Sequence, residues 1–201
     1  MKSRRKITSL DPEDAALIES DVAEIAASIP AHVWDGHSLP VPVEEIAREV
    51  YGLRVCHVSH DQMKEVVGDD SVEGTLSGLL LTGIGEIWVN QEEAAHPEWG
   101  TRRKRFTIGH ELGHFVMHQV GRKPIFCRDA EVNNGSEPTP RTVPEVEANT
   151  FSAALLMPAT LVRAELREDR TDRENLAVLM ELFEASDKAM RRRVAALNAI
   201  A

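Results

Sequence analysis

Residues 110–114 read His-Glu-Leu-Gly-His, and no other stretch limits the fold so tightly, because the pattern makes chemical sense only on a helix. Side chains four apart share a helical face, so His110 and His114 would aim two imidazoles at one point, with Glu111 beside them. The flanking sequence agrees. Residues 101–120 contain no proline, open on Arg102-Arg103-Lys104-Arg105 and continue with apolar residues at helical spacing, which predicts a helix over that span. Paired neutral imidazoles suit Zn²⁺, and a bound zinc lowers the pKa of its water to about 7. A carboxylate at Glu111 is then placed to take that proton and deliver it to a leaving amine, the chemistry of amide hydrolysis.

In a chain with this His and Glu content the bare pattern arises by chance about 3% of the time, so the surrounding sequence has to support it. A second helix is expected over 145–157, ending at Pro158. Its start places Glu145 and Asn149 on one face, with the small Ala148 allowing close approach of another helix. Glu145 is the expected third ligand, and Asn149, one turn on, would hold a ligand from behind. Glu147 competes for the third position but lies about 200° around the helix from Glu145 and should face away. His118 continues the four-residue series, yet its place about 12 Å along the axis from His110 prevents it from sharing one ion. It is expected either as a hydrogen-bonded core residue or in a substrate cleft. No oxyanion-stabilising residue stands out: His118, Arg128 and His96 are candidates, whereas Tyr51, the one tyrosine, reads as a packing residue. Cys127 and Asp129 offer a transient plug for the metal, with an ordinary packed cysteine as the plainer alternative.

Around this centre the chain alternates helix and strand signals. Asp11 reads as an N-cap, followed by Pro12 and by Leu17, Val22 and Ile25 near helical spacing up to Pro30. A proline-rich connector leads to a helix with Val43, Ile46, Ala47 and Val50 on one face, stopped by Gly52. Residues 53–58 alternate as a half-buried strand, and TLSGLLL and EIWVN flank the tight TGIG segment as a hairpin or two sequential strands. A small sheet of about three strands is expected among the helices. Residues 121–144 hold four prolines and an NNGS run, too broken for an ordinary connection, and read as a functional or mobile loop.

These segments together resemble the ImmA/IrrE metallopeptidases. The resemblance rests on RKRFTIGHELGHFVMH from Arg103, FCR at 126–128 and EVEANTFSAALLMP from Glu145, with support from PVEEIAREVYGLRV, SGLLL and EIWVN upstream. It implies that His110, His114 and Glu145 are zinc ligands and Glu111 the general base, within a compact α+β peptidase domain. A metzincin would need Gly at 117 and His at 120, where Met117 and Val120 stand, and a peptide deformylase would want Asp in place of Gly113. The segment LAVLMELFEASDKAMRRRVAALN resembles the stretch that follows the family's peptidase core and looks like a helix-turn-helix. The chain therefore divides into a zinc metallopeptidase domain over 11–160 and a helical, helix-turn-helix-like extension over 161–201. By the same resemblance the substrate is a protein, a helix-turn-helix transcriptional repressor whose cleavage turns on its genes. Longer IrrE-like proteins continue into a GAF-like sensor, so the shorter ImmA-like role is the closer match. The alternative is a non-catalytic regulator that binds and sequesters a repressor or antitoxin, for which a base at Glu111 would be unnecessary.

Charge separates further classes. Twenty-three Lys and Arg against 33 Asp and Glu leave a net charge of −10, which argues against coating nucleic acid, although Arg191, Arg192 and Arg193 offer a local contact. Cations at the start of the 101–120 helix oppose its dipole, so solvent, substrate carboxylates or acidic neighbours must compensate them. Two cysteines make no disulfide framework, and the basic start MKSRRK is not followed by an apolar run, so export is not expected. No stretch reaches the roughly 18–20 apolar residues of a bilayer span. A cytoplasmic protein is expected.

Overall fold

The computed structural model describes residues 6–67, 75–118, 125–128 and 141–199, with only the backbone described over 125–128. Helix α1 (Pro12–Ser28) starts as its sequence dictates: the Asp11 carboxylate accepts a hydrogen bond from the Asp14 amide at 2.9 Å, and Pro12 sits in the first turn. Its buried residues are Ile18 and Val22, while Leu17 is 64% exposed. The apolar stripe thus runs through Ile18, Val22 and the partly buried Ile25 and Ala26, one position later than the Leu17 register expected from sequence. The connector that follows is pinned by Trp34, which is buried and donates its indole N–H to the Ser38 carbonyl at 2.8 Å. Helix α2 (Val43–Glu49) buries Val43, Ile46 and Ala47, and Gly52 after it takes a positive φ of 67°.

Strands β2 (Arg54–Val58), β3 (Leu76–Leu81) and β4 (Glu86–Asn90) lie where the sequence places them. The β3–β4 pair is antiparallel with Leu81 opposite Glu86, closed by a turn in which Gly85 has φ 67°. Strand β2 pairs parallel to β4, Arg54 opposite Glu86. A fourth strand, β5 (Ile125–Arg128), pairs antiparallel with β3 inside the stretch read from sequence as loop, so the sheet order is β2-β4-β3-β5 rather than three strands. Two further short strands, β1 (Lys6–Ile7) and β6 (Arg141–Thr142), form an antiparallel ladder leading into the next helix. Helices α3 (His60–Val67) and α4 (Gln91–Ala94) follow β2 and β4, and neither has a sequence expectation.

Helix α5 (Gly100–Met117) lies against the sheet, and α6 (Val143–Leu156) packs along α5. Ile108 and Leu112 of α5 are wholly buried with Leu80, Ile87 and Val89 of the sheet. Each such side chain contributes about 1.5–3 kcal/mol of burial energy, which fixes the rotation of α5 and hence the direction of its histidines. Helices α7 (Ala159–Glu165), α8 (Asp172–Leu182) and α9 (Asp187–Ala199) complete the chain. Thr171 and Glu174 cap α8 reciprocally, and Phe183, Met190 and Leu197 join the same core as Ile108 and Leu112. The architecture is α+β, a small mixed sheet covered by helices. Among the described residues no helix is long and apolar enough to cross a membrane.

Candidate metal centre

The basic run that opens α5 is compensated residue by residue. Arg102 approaches Glu181 at 3.9 Å, Arg103 donates to Glu93 at 2.9 Å and to Ser77 at 2.8 Å, and Lys104 reaches Glu44 at 3.2 Å. Arg105, 9% exposed, donates to the Val41 carbonyl at 2.8 Å and lies 3.4 Å from Glu184. Burial pulls its pKa down, and the nearby Glu184 and Glu45 oppose that shift. These contacts offset the dipole conflict and tie the start of α5 to α2, α4 and α8.

Past this anchor, α5 carries His110, Glu111 and His114, all at 2% exposure or less. Close approach to α6 depends on small residues: an added Cβ on Gly109 would fall 2.5 Å from the Ser152 hydroxyl, and one on Gly113 3.1 Å from the Ala148 carbonyl. Across that narrow interface Glu145 meets both histidines, its carboxylate oxygens 3.4 Å from His110 Nε2 and 3.2 Å from His114 Nε2, with the two Nε2 atoms 3.0 Å apart. His110, His114 and Glu145 are the only such group among the described residues whose ligand atoms all lie within 4.8 Å of one another. Burial pushes the Glu145 carboxyl up, but the adjacent His110 and His114 rings outweigh it and leave it well below the usual carboxylate range. Burial also lowers the His114 pKa and favours the neutral imidazole, against the pull of Glu145.

Hydrogen bonding behind each ring fixes its tautomer. The Asn149 amide oxygen lies 3.0 Å from His110 Nδ1, so that nitrogen donates and Nε2 keeps its lone pair. His118 Nε2 is 2.7 Å from the Glu147 carboxylate and must donate to it. In neutral His118 this leaves Nδ1 as an acceptor for His114 Nδ1–H at 3.2 Å, so His114 too presents a bare Nε2. Two imidazole lone pairs and a carboxylate therefore face one another inside a buried space, an arrangement that repels itself unless a cation sits between them. The donor set fits a divalent ion with nitrogen and oxygen ligands.

Glu111 lies on the sheet side of this group, against β3. An ideal Cβ on Gly78 would stand 2.8 Å from Glu111 Oε1 and 2.4 Å from Thr107 Cγ2, so only a glycine strand residue lets the carboxylate settle there. Sequence reasoning overlooked Gly78, though a glycine inside an otherwise apolar strand is the signal for such an approach. Glu147, expected to face away, lies outside the ligand group but reaches its flank through His118, because α5 ends at Met117 and lets the next ring turn toward α6. Tyr51 packs edge-on against Phe115 with ring centroids 6.1 Å apart, and burial raises its pKa. His96 stacks on Trp99 at 4.2 Å. The Arg128 and Cys127 side chains and Asp129 lie outside the described residues.

Comparison with known proteins places this geometry in context. The Peptidase_M78 family, described as the IrrE N-terminal-like domain, matches residues 80–195. No curated protein matches the chain. Among solved structures a Mycobacterium tuberculosis transcriptional regulator aligns at 16% identity with a TM-score of 0.49, over 93% of this chain and 48% of its own. The chain thus spans about half the length of that protein.

Proposed function

The chain belongs to the Peptidase_M78 family, and from that premise we propose that it is a zinc-dependent endopeptidase that cleaves a protein partner. The observation that carries the proposal is the convergence of three ligand atoms from the buried His110 and His114 and the partly buried Glu145, beside a fully buried Glu111. His110, His114 and Glu145 hold the ion in this reading, and Asn149 orients His110. When bound, the ion supplies Lewis acidity, lowering the pKa of water and polarising a peptide carbonyl. Glu111 accepts the proton of the attacking water and returns it to the leaving nitrogen as the C–N bond breaks. The absence of a side chain at Gly78 leaves room for the Glu111 carboxylate against β3, which a substituent at that strand position would displace.

The substrate class is a helix-turn-helix transcriptional repressor, the expectation carried by the ImmA-like resemblance, and the compartment is the cytoplasm. Glu111→Gln should retain zinc by metal analysis yet fail to cleave a candidate repressor, whereas His110→Ala should lose most of its zinc. Full cleavage by Glu111→Gln would reject the base assignment. A stable complex with intact repressor, formed by the zinc-loaded wild type, would favour a sequestering regulator instead.

A further inference from the structure

The two histidines of the centre are steadied from α6 in different ways. His110 leans directly on the neutral amide of Asn149 at 3.0 Å. His114 reaches α6 through an intermediary, His118, which lies 3.2 Å from it and 2.7 Å from Glu147. The His118 side chain is 13% exposed and that of Glu147 29%, so the carboxylate touches solvent while the ring it holds is shielded. We propose that Glu147, acting through His118, is a positioning residue for His114. It holds His118 as the Nε2–H tautomer, whose Nδ1 in turn accepts from His114 and keeps the His114 Nε2 lone pair directed at the ion site.

The direction of each hydrogen bond follows from chemistry. A carboxylate can only accept, so His118 Nε2 carries the hydrogen. A neutral imidazole then has one acceptor nitrogen left, and that nitrogen faces His114 Nδ1. Without Glu147 the tautomer of His118 is no longer imposed, and a ring with hydrogen on Nδ1 would oppose the His114 donor. Such outer partners orient metal ligands, and their loss typically lowers metal affinity about 10- to 100-fold. One helix therefore contributes three roles within five residues: a ligand at Glu145, a remote orienter at Glu147 and a direct orienter at Asn149. The inference rests on the reading of His110, His114 and Glu145 as an ion site.

Zinc affinity, measured on the full chain by competition with a chromophoric chelator, tests it. Glu147→Leu and His118→Phe should each weaken zinc about 10- to 100-fold. Glu147→Gln should lose less than Glu147→Leu, because an amide oxygen still accepts from His118. The double variant Glu147→Leu/His118→Phe should bind zinc no more weakly than His118→Phe alone, since Glu147 works only through that ring. Co²⁺ absorption should shift in His118→Phe and Glu147→Leu and stay near wild type in Glu147→Gln. Additive losses in the double variant, or equal losses for Gln and Leu at 147, would mean that the carboxylate acts across space by its charge and would overturn the proposal. If His118→Phe does not fold, the Gln and Leu pair decides alone. A wild-type chain that binds zinc while all these variants bind it equally well refutes the relay and spares the ion site. A wild type that takes no zinc refutes both.

Discussion

Gly78 sets the tightest limit of any single residue near the centre. A methyl group there would meet Thr107 Cγ2 at 2.4 Å, and threonine on a helix has little rotamer freedom with which to yield. It would also press on Glu111 Oε1 at 2.8 Å, the more mobile neighbour, so the carboxylate is what moves. Gly78→Ala should therefore cost about 1–3 kcal/mol in denaturant unfolding and reduce peptidase turnover more than zinc affinity. Thr107→Ser in the same chain removes one clash and should recover part of both; no recovery would place the strain elsewhere. At this scale the sequence is informative about which side chains converge and poor about what surrounds them. His110, Glu111, His114, Glu145 and Asn149 all follow from spacing on two helices. Glu147 and His118 do not, because the angle between Glu145 and Glu147 on one helix says nothing of a ring that reaches back from the end of another.

The contact between α5 and α6 decides whether those spacings become a site. Gly109 and Ala148 belong to a seam of small residues, and the Ser152 hydroxyl fills what room remains while donating to the Phe106 carbonyl at 3.0 Å. Alanine would gain about 1 kcal/mol of helix propensity at Gly109. Overpacking costs about 1–3 kcal/mol and here displaces a buried hydroxyl, so the loss should win. Gly109→Ala is expected to lower the thermal midpoint, and Gly109→Ala/Ser152→Ala should raise it again by removing the atom that clashes. A Gly109→Ala protein more stable than wild type would show that the helices are not held at this distance by packing. Elements were legible where periodicity or capping was strong, as in α1, α2, α5 and the β3–β4 pair. Strand β5 was not, since four residues within a proline-rich stretch carry too little alternation, and it is pairing with β3 that makes them a strand. The parallel pairing of β2 with β4 is likewise a tertiary choice that neither strand's own sequence expresses.

Across the whole molecule, the fate of the carboxy-terminal helices turns on Arg193. Sequence alone offers it as one of three arginines for DNA, but its side chain is 2% exposed and ion-paired with Glu19 of α1, with one guanidinium nitrogen 2.9 Å from Glu19 Oε2. Its Nε also donates to the Met157 carbonyl at 2.8 Å, where α6 ends. One side chain thus joins the first helix, the helix bearing Glu145 and the last helix. Removing one partner of a buried pair costs about 3–5 kcal/mol, whereas apolar replacement of both is often neutral. The two ends are unequal: Glu19 is 16% exposed and can recruit water, while Arg193 cannot. Glu19→Leu should therefore destabilise more than Arg193→Met, and Glu19→Leu/Arg193→Met should recover most of the loss in urea unfolding. A Glu19→Leu loss below about 1 kcal/mol would mean that α9 is held by Met190 and Leu197 alone. With Arg193 committed to the interior, salt-dependent DNA affinity, if measured, should respond to neutralising Arg191 and Arg192 and not to Arg193 unless the fold is lost.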